Sequence, residues 1–245
     1  MVETEVIGHS IEAFKRNLKL VLFFSVPFLL AFAIPLLSPM PTYVSIGATF
    51  LRTGSMFTDM TYFDVGLILV SSLASLFLIS FATVSINLVI KSQRTLTNIR
   101  TEVVEGIEKY TTTIFLLYTI ALVLSLAVLL TSYEYGAQEL VTPLFSFLIS
   151  LPLFYVPAAI VIDELKPTDA MRNSLYMIKN KFGLFILWLV LGFILLSAVD
   201  LVLIILTNYI AWSRYVVLVL NSMVIMPFLV IMQTQIYLTK YTILK

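Results

Sequence analysis

Six long apolar runs, at about 18–38, 64–90, 113–132, 142–162, 182–206 and 215–239, divide the chain. About 20 mostly apolar residues suffice for a helix to cross a bilayer, so each run predicts one transmembrane helix. No run carries Lys, Arg, Asp or Glu in its central part. Asp64, Asp163 and Asp200 fall at or near run ends, where water is within reach. A pump or proton relay built on intramembrane carboxylates is therefore disfavoured.

A second pattern precedes every other run. Ile7, Ile11, Phe14 and Leu18 recur at i, i+4, i+7 and i+11, as do Val103, Ile107, Tyr110 and Ile114, and again Met171, Leu175, Ile178 and Phe182. This spacing makes one apolar stripe on a helix. The opposite faces are polar, with Glu12, Lys15, Arg16 and Lys19 in the first, Glu102, Glu105 and Glu108 in the second, and Arg172, Asn173, Lys179 and Asn180 in the third. Ser10, Gly106 and Ser174 share one small position. The expected fold is all-α: one transmembrane domain, 1–245, made of three repeats at about 1–98, 99–165 and 166–245. Each repeat is an amphipathic interfacial helix followed by a two-span hairpin. An even number of spans per unit makes the copies parallel, unlike the inverted repeats of many transporters.

Prolines and amides modify this picture. Pro27, Pro35, Pro152, Pro157 and Pro227 lie inside runs and are expected to kink or break helices. Pro152 and Pro157 mark the fourth run as the most irregular. The second run is rich in small residues (Ser71, Ser72, Ala74, Ser75, Ser80, Ala82, Thr83, Ser85), which suits a helix inside the bundle. Asn87, Asn221, Gln233 and Gln235 form a candidate intramembrane polar cluster. They are expected to hydrogen-bond across helices, or to line a cavity with carbonyls freed at Pro152 or Pro227.

Charge then orients the spans. The segments on one side carry Lys15, Arg16, Lys19, Lys91, Arg94, Arg100, Lys109, Lys166, Arg172, Lys179, Lys181, Lys240 and Lys245; the other side carries only Arg52 and Arg214. The positive-inside rule places both termini in the cytoplasm of a cell (plasma) membrane protein. Lys15, Arg16, Lys19, Arg172, Lys179 and Lys181 make a candidate collar for lipid headgroups, each cation worth about 1 kcal/mol against an anionic leaflet. On the outer side, the loop at about 38–63 is the longest, and its aromatics suggest that it lies on the bundle or the outer interface. Tyr133, Tyr135, Tyr209, Trp212 and Tyr215 mark an outer aromatic belt. Lys15, Arg16 and Lys19 ahead of a run ending in Ala31-Phe32-Ala33 also have the form of a signal peptide; we take this run as the first span.

Composition adds exclusions. The chain is 60% hydrophobic and 12% charged, with a mean hydropathy of +1.03, far from the roughly 25% charge of soluble domains. It has no cysteine and one histidine, His9, so thiolate chemistry is excluded. No phosphate loop, dinucleotide fingerprint or zinc signature occurs, and neither a cofactor nor nucleic-acid binding is expected. Asp163 and Glu164 could suggest metal or acid–base chemistry. Their place ahead of Pro167 and Asp169 fits better with capping the next helix or pairing with Lys166 or Arg172.

The stretch from Asp163 to Gly183 resembles a recurring segment of multi-span proteins, through Glu164, Pro167, Ala170, Arg172, Ser174, Ile178, Lys179 and Phe182. Ile11 to Asn17 is similar to the opening of the same kind of domain. The group includes the membrane domain attached to some glycerophosphoryl diester phosphodiesterases and related bacterial and archaeal families of undefined activity. The resemblance implies a six-span membrane domain. It brings no phosphodiesterase chemistry, because the acids and histidines of that enzyme's soluble barrel have no counterpart here. The expected function is a non-enzymatic protein that binds or moves a lipid or small amphiphile. A scaffold or accessory subunit, acting with a protein partner or as a homo-oligomer, is the alternative, and a membrane enzyme comes last.

Overall fold

A computed structural model of the chain describes residues 3–34, 61–95, 99–207 and 213–241. Among these, every regular element is a helix: α1 (Glu3–Arg16), α2 (Leu18–Ala33), α3 (Tyr62–Thr95), α4 (Ile99–Glu134), α5 (Gln138–Leu153), α6 (Val156–Asp163), α7 (Pro167–Asn180), α8 (Phe182–Thr207), α9 (Ser213–Leu220) and α10 (Met226–Leu238). A π-helical segment, Asn221–Ile225, joins α9 to α10. Five stretches are long and apolar enough to cross a membrane: Tyr62–Gln93, Gly106–Glu134, Gln138–Asp163, Phe182–Val199 and Tyr215–Leu238. Helices α1 and α2, bent by 91° at Asn17, add a sixth if counted together. Residues 35–60, with Pro35, the end of the first expected span and most of the expected 38–63 loop, and residues 208–212, with Tyr209 and Trp212, lie outside the described residues.

α1 and α7 are both 14 residues long. Each ends at a single non-helical residue, Asn17 (φ −112°, ψ 16°) and Lys181 (φ −124°, ψ 38°), before the next helix starts. The Asn17 side chain donates to the Ala13 carbonyl at 2.8 Å, a local bond that competes with helix continuation. The middle unit differs from expectation: α4 runs unbroken from its amphipathic part into the span. At its junction Thr112 and Thr113 donate back to the Glu108 and Lys109 carbonyls, which leaves the helix intact.

The amphipathic helices have three faces. On α1 the buried face is Val6, Ser10, Ala13 and Asn17, whereas Ile11 and Leu18 of the apolar stripe are exposed. On α7 it is Ala170, Ser174 and Met177, with Leu175 and Phe182 exposed. The small stripe packs on the bundle, α1 mainly on α10 and α7 on α5 and α6. Of the apolar stripes, Ile7, Phe14, Met171 and Ile178 also pack against the core, and Ile11, Leu18, Leu175 and Phe182 are left exposed.

Gly106, at the same small position, shows why size matters there. A Cβ on it would stand 2.9 Å from a methyl of Leu88 and 3.1 Å from the Tyr110 ring, and Leu88 is itself buried. Overpacking costs about 1–3 kcal/mol, while replacing a helical glycine by alanine regains about 1 kcal/mol of propensity. Gly106→Ala is therefore expected to be nearly neutral in thermal unfolding, and Gly106→Val clearly destabilising. Equal melting temperatures for the two would contradict this close α3–α4 approach.

Packing is uneven along the membrane normal. α3 packs on α2, α4, α6 and α10. Its basic-end half, from Ala82 to Ile90, is buried, while Tyr62, Phe63, Val65 and Val70 of the other half are exposed. The expected interior placement of the second span thus holds for Ser75, Ser80, Ala82, Thr83 and Ser85, whereas Ser71 and Ser72 are only half-buried. In lipid, burying apolar surface gives helices no advantage over facing acyl chains, so association rests on close packing and hydrogen bonds. Both concentrate in the basic-end half. At the far end, Thr61 and Asp64 cap α3 reciprocally. Gly136 (φ 65°) closes α4 with bonds from Gly136 and Ala137 N–H to the Tyr133 and Ser132 carbonyls. The exposed belt residues described are Tyr133, Tyr135 and Tyr215.

Candidate functional site

The prolines act where expected, but not all as breaks. α2 continues through Pro27. Pro152 lies in the last turn of α5 and Pro157 in the first turn of α6, where its missing N–H is harmless. The interruption itself is Phe154–Tyr155, between them. Pro227 follows the π-helical segment, in which the Met226 N–H reaches back to the Asn221 carbonyl. The sixth span thus absorbs its proline by widening one turn and is not broken.

Backbone groups freed at Phe154–Tyr155 are taken by side chains from other helices. Ser174 of α7 accepts from the Tyr155 N–H at 3.0 Å and donates to the Leu151 carbonyl at 3.0 Å. Gln233 of α10 donates to the Phe154 carbonyl. The Phe154 ring meets Tyr155, Phe185 and Trp188 edge to face, with centroids 4.6, 5.0 and 4.7 Å apart. Trp188 in turn donates to the Leu229 carbonyl at 2.8 Å. The irregular span is therefore clamped between α7, α8 and α10.

Beside this clamp lies a cavity of about 560 Å³. Its lining is mainly apolar, including Phe28, Ile79, Phe154, Trp188, Leu196 and Leu229, with Thr83, Tyr118, Ser150 and Gln233 as polar members. Thr83, Phe154 and Gln233 stand eight, nine and five residues from Lys91, Asp163 and Leu238. At 1.5 Å per residue that is about 8–14 Å from the basic ends of their helices, a length below half of the roughly 30 Å of a bilayer core.

The four amides expected to form one cluster do not converge. Asn87 accepts from Thr234 at 2.7 Å and donates to the Thr83 carbonyl at 2.8 Å. Asn221 is buried in the π-helical segment. Gln233 serves the break and the cavity, and Gln235 borders a separate cavity at the basic end. They sit on α3, the π-helical segment and two faces of α10, so helix order around the bundle separates them.

Asp163 and Glu164 also have other partners than expected. Asp163 accepts from Lys240, Tyr237 and Tyr241. Asn173 donates to the Tyr237 hydroxyl at 2.6 Å. The Lys240 ammonium lies over the Tyr237 and Tyr241 rings, 4.2 and 4.8 Å from their centroids. Glu164, left-handed at φ 53°, closes α6 and pairs with Lys91 at 2.9 Å. Lys91, through its hydrogen bond and charge, with smaller help from Tyr110 and Lys109, holds the Glu164 carboxyl below the usual carboxylate range. Lys166 occupies the N-cap position of α7 without a side-chain cap bond. Both acids therefore tie the α6–α7 corner to α3 and α10. Among the described residues no group of three or more His, Cys, Asp or Glu could hold a metal ion.

Of the collar, Lys15, Arg16, Lys19, Arg172 and Lys179 are exposed and Lys181 half-buried. None is held in an ion pair with another described residue. Lys15 and Arg16 end α1 and Lys19 begins α2, whereas Arg172 and Lys179 lie on α7 and Lys181 just after it; α1 and α7 pack against different neighbours.

Helix length, apolar exposure and the absence of strand among the described residues define an all-α, multi-span membrane protein. No family model, no curated protein and no solved structure matches the chain.

Proposed function

We propose that the protein is a non-enzymatic, multi-pass component of the cell membrane that binds or moves a lipid or small amphiphile. Its basic end faces the cytoplasm and its collar meets headgroups there. The observation that carries this reading is the cavity at the Phe154–Tyr155 interruption. Ligand sites are characteristically apolar hollows of about 300–1,000 Å³ with a few placed polar groups. Here Thr83, Tyr118, Ser150 and Gln233 would meet the polar part of an amphiphile and the aromatic wall its chain. The resemblance to the membrane domain of glycerophosphoryl diester phosphodiesterases is compatible with a lipid-facing role. A scaffold is favoured instead by the exposed far half of α3, which lipid or a partner helix would cover equally well.

Gly192 offers the test. It lines the cavity, and a Cβ there would only touch the Leu229 methyls at 3.7 Å, so a larger side chain can grow into the empty space. In a Trp212→Phe background, quenching of Trp188 by a brominated fatty acid reports occupancy. Gly192→Phe is expected to weaken that quenching about tenfold, equivalent to losing roughly 1.4 kcal/mol of binding, with the fold retained. Undiminished quenching would sink the proposal.

A further inference from the structure

A second cavity, of about 220 Å³, opens at the basic end between α1, α3 and α10. His9, Glu12 and Arg16 border it from α1, Gln93 from the end of α3 and Gln235 from α10. Ala13, Ile90 and Leu238 form its apolar floor. Positions 9, 12 and 16 share one side of a helix, and the 91° bend at Asn17 sets α1 across the ends of the spans instead of along them.

Its charges are not used up internally. Glu12 and Arg16 stand four apart, the spacing at which a helix normally allows an ion pair, yet no ion pair joins them. Among the described residues, none of the five polar side chains is engaged in a hydrogen bond or ion pair. The hollow therefore presents one fixed cation, one anion, an imidazole and two amides, with no net excess of acid over base. A purely anionic head would be repelled by Glu12, and a purely cationic one by Arg16. Its size suits a headgroup better than a whole lipid.

We infer that this cavity is a site for a zwitterionic phosphate–ammonium head, phosphoethanolamine in type, with the phosphate at Arg16 and His9 and the primary ammonium at Glu12. Gln93 and Gln235 donate to the remaining phosphate oxygens. Arg offers the forked donors that phosphate favours. A primary ammonium can donate hydrogen bonds to Glu12, whereas a quaternary choline cannot. The site is distinct from the intramembrane cavity and does not depend on it.

The test is lipid retention from nanodiscs holding equal phosphatidylethanolamine, phosphatidylcholine and phosphatidylglycerol, read by native mass spectrometry after gentle release. The wild type is expected to keep phosphatidylethanolamine in preference to the others. Glu12→Gln should reduce the ethanolamine-to-choline ratio about tenfold, as loss of a charged hydrogen bond predicts. Arg16→Gln should lower retention of both. Lys166→Gln, outside the cavity, should change neither. Gly192→Phe should leave the preference intact, which separates this site from the intramembrane one. A parallel arm adds soluble glycerophosphoethanolamine. Displacement at concentrations matching those of the lipid would assign the site to a water-soluble ligand of the same chemistry, and no displacement would assign it to the lipid. An unchanged ethanolamine-to-choline ratio in Glu12→Gln, or unchanged retention in Arg16→Gln, would overturn the inference.

Discussion

Asp163→Ala is expected to be the most destabilising single exchange at the basic end, by about 3–5 kcal/mol. The Asp163 side chain is only 10% exposed and that of its partner Lys240 22%. One carboxylate accepts from Lys240, Tyr237 and Tyr241, and Tyr237 also receives Asn173. Removing the acid leaves a half-buried ammonium among tyrosines with no anion, the situation in which breaking a pair costs far more than the pair contributes. The ring faces of Tyr237 and Tyr241 hold part of the cation's interaction. The variant should therefore loosen the end of α10 before it unfolds the bundle. Hydrogen exchange should accelerate around 233–241 while 82–90 stays protected. Asp163→Asn, which keeps an acceptor for the tyrosines, should lose less. If Asp163→Ala melts like the wild type and exchanges no faster there, the α6–α10 tie is unimportant.

Ser174→Ala is expected to cost about 2 kcal/mol. Hydrogen bonds between side chains in membranes average about 0.6 kcal/mol, because the unfolded helices find other partners. The Ser174 hydroxyl is a different case. It serves the Tyr155 N–H and the Leu151 carbonyl at an interruption, where Pro157 contributes no N–H. The Leu151 carbonyl keeps the Phe154 N–H at 3.3 Å, but the Tyr155 N–H is left unmatched, worth about 1–3 kcal/mol, so the effect should exceed that average. Ser174→Val should be worse than alanine, since Ser174 is fully buried and extra volume would push α7 off the clamp. Thermal unfolding of the three proteins checks the order. Equal stability of serine and alanine would mean that the interruption is satisfied in another way.

The spans were legible because a lipid-crossing helix leaves a long, charge-free apolar run, a signal that needs no knowledge of neighbours. The shared small position at Ser10, Gly106 and Ser174 was legible too, although its use is not uniform. Ser10 bonds within its own helix, Gly106 permits close approach to Leu88, and Ser174 repairs a neighbouring span. Spacing marked Pro152 and Pro157 as the disturbed region, but which side chains fill it depends on which helices lie alongside. Thr234, the partner of Asn87, is 147 residues away and gave no local sign. Lys240 lies 77 residues from Asp163, so the nearer Lys166 and Arg172 were the natural but mistaken choices. The apolar stripe was read correctly as a pattern. The bundle packs on the small stripe and on the near edge of the apolar one, Ile7, Phe14, Met171 and Ile178, which leaves Ile11, Leu18, Leu175 and Phe182 exposed.

The measurement that bears most directly on ligand binding is native mass spectrometry of the protein extracted gently from its own membrane. A lipid or small amphiphile retained at fixed stoichiometry in addition to any lipid at the basic-end cavity, and selectively lost from Gly192→Phe, is the predicted result. A ligand-free oligomer, or a stable complex with another protein, would contradict it and point to a scaffold.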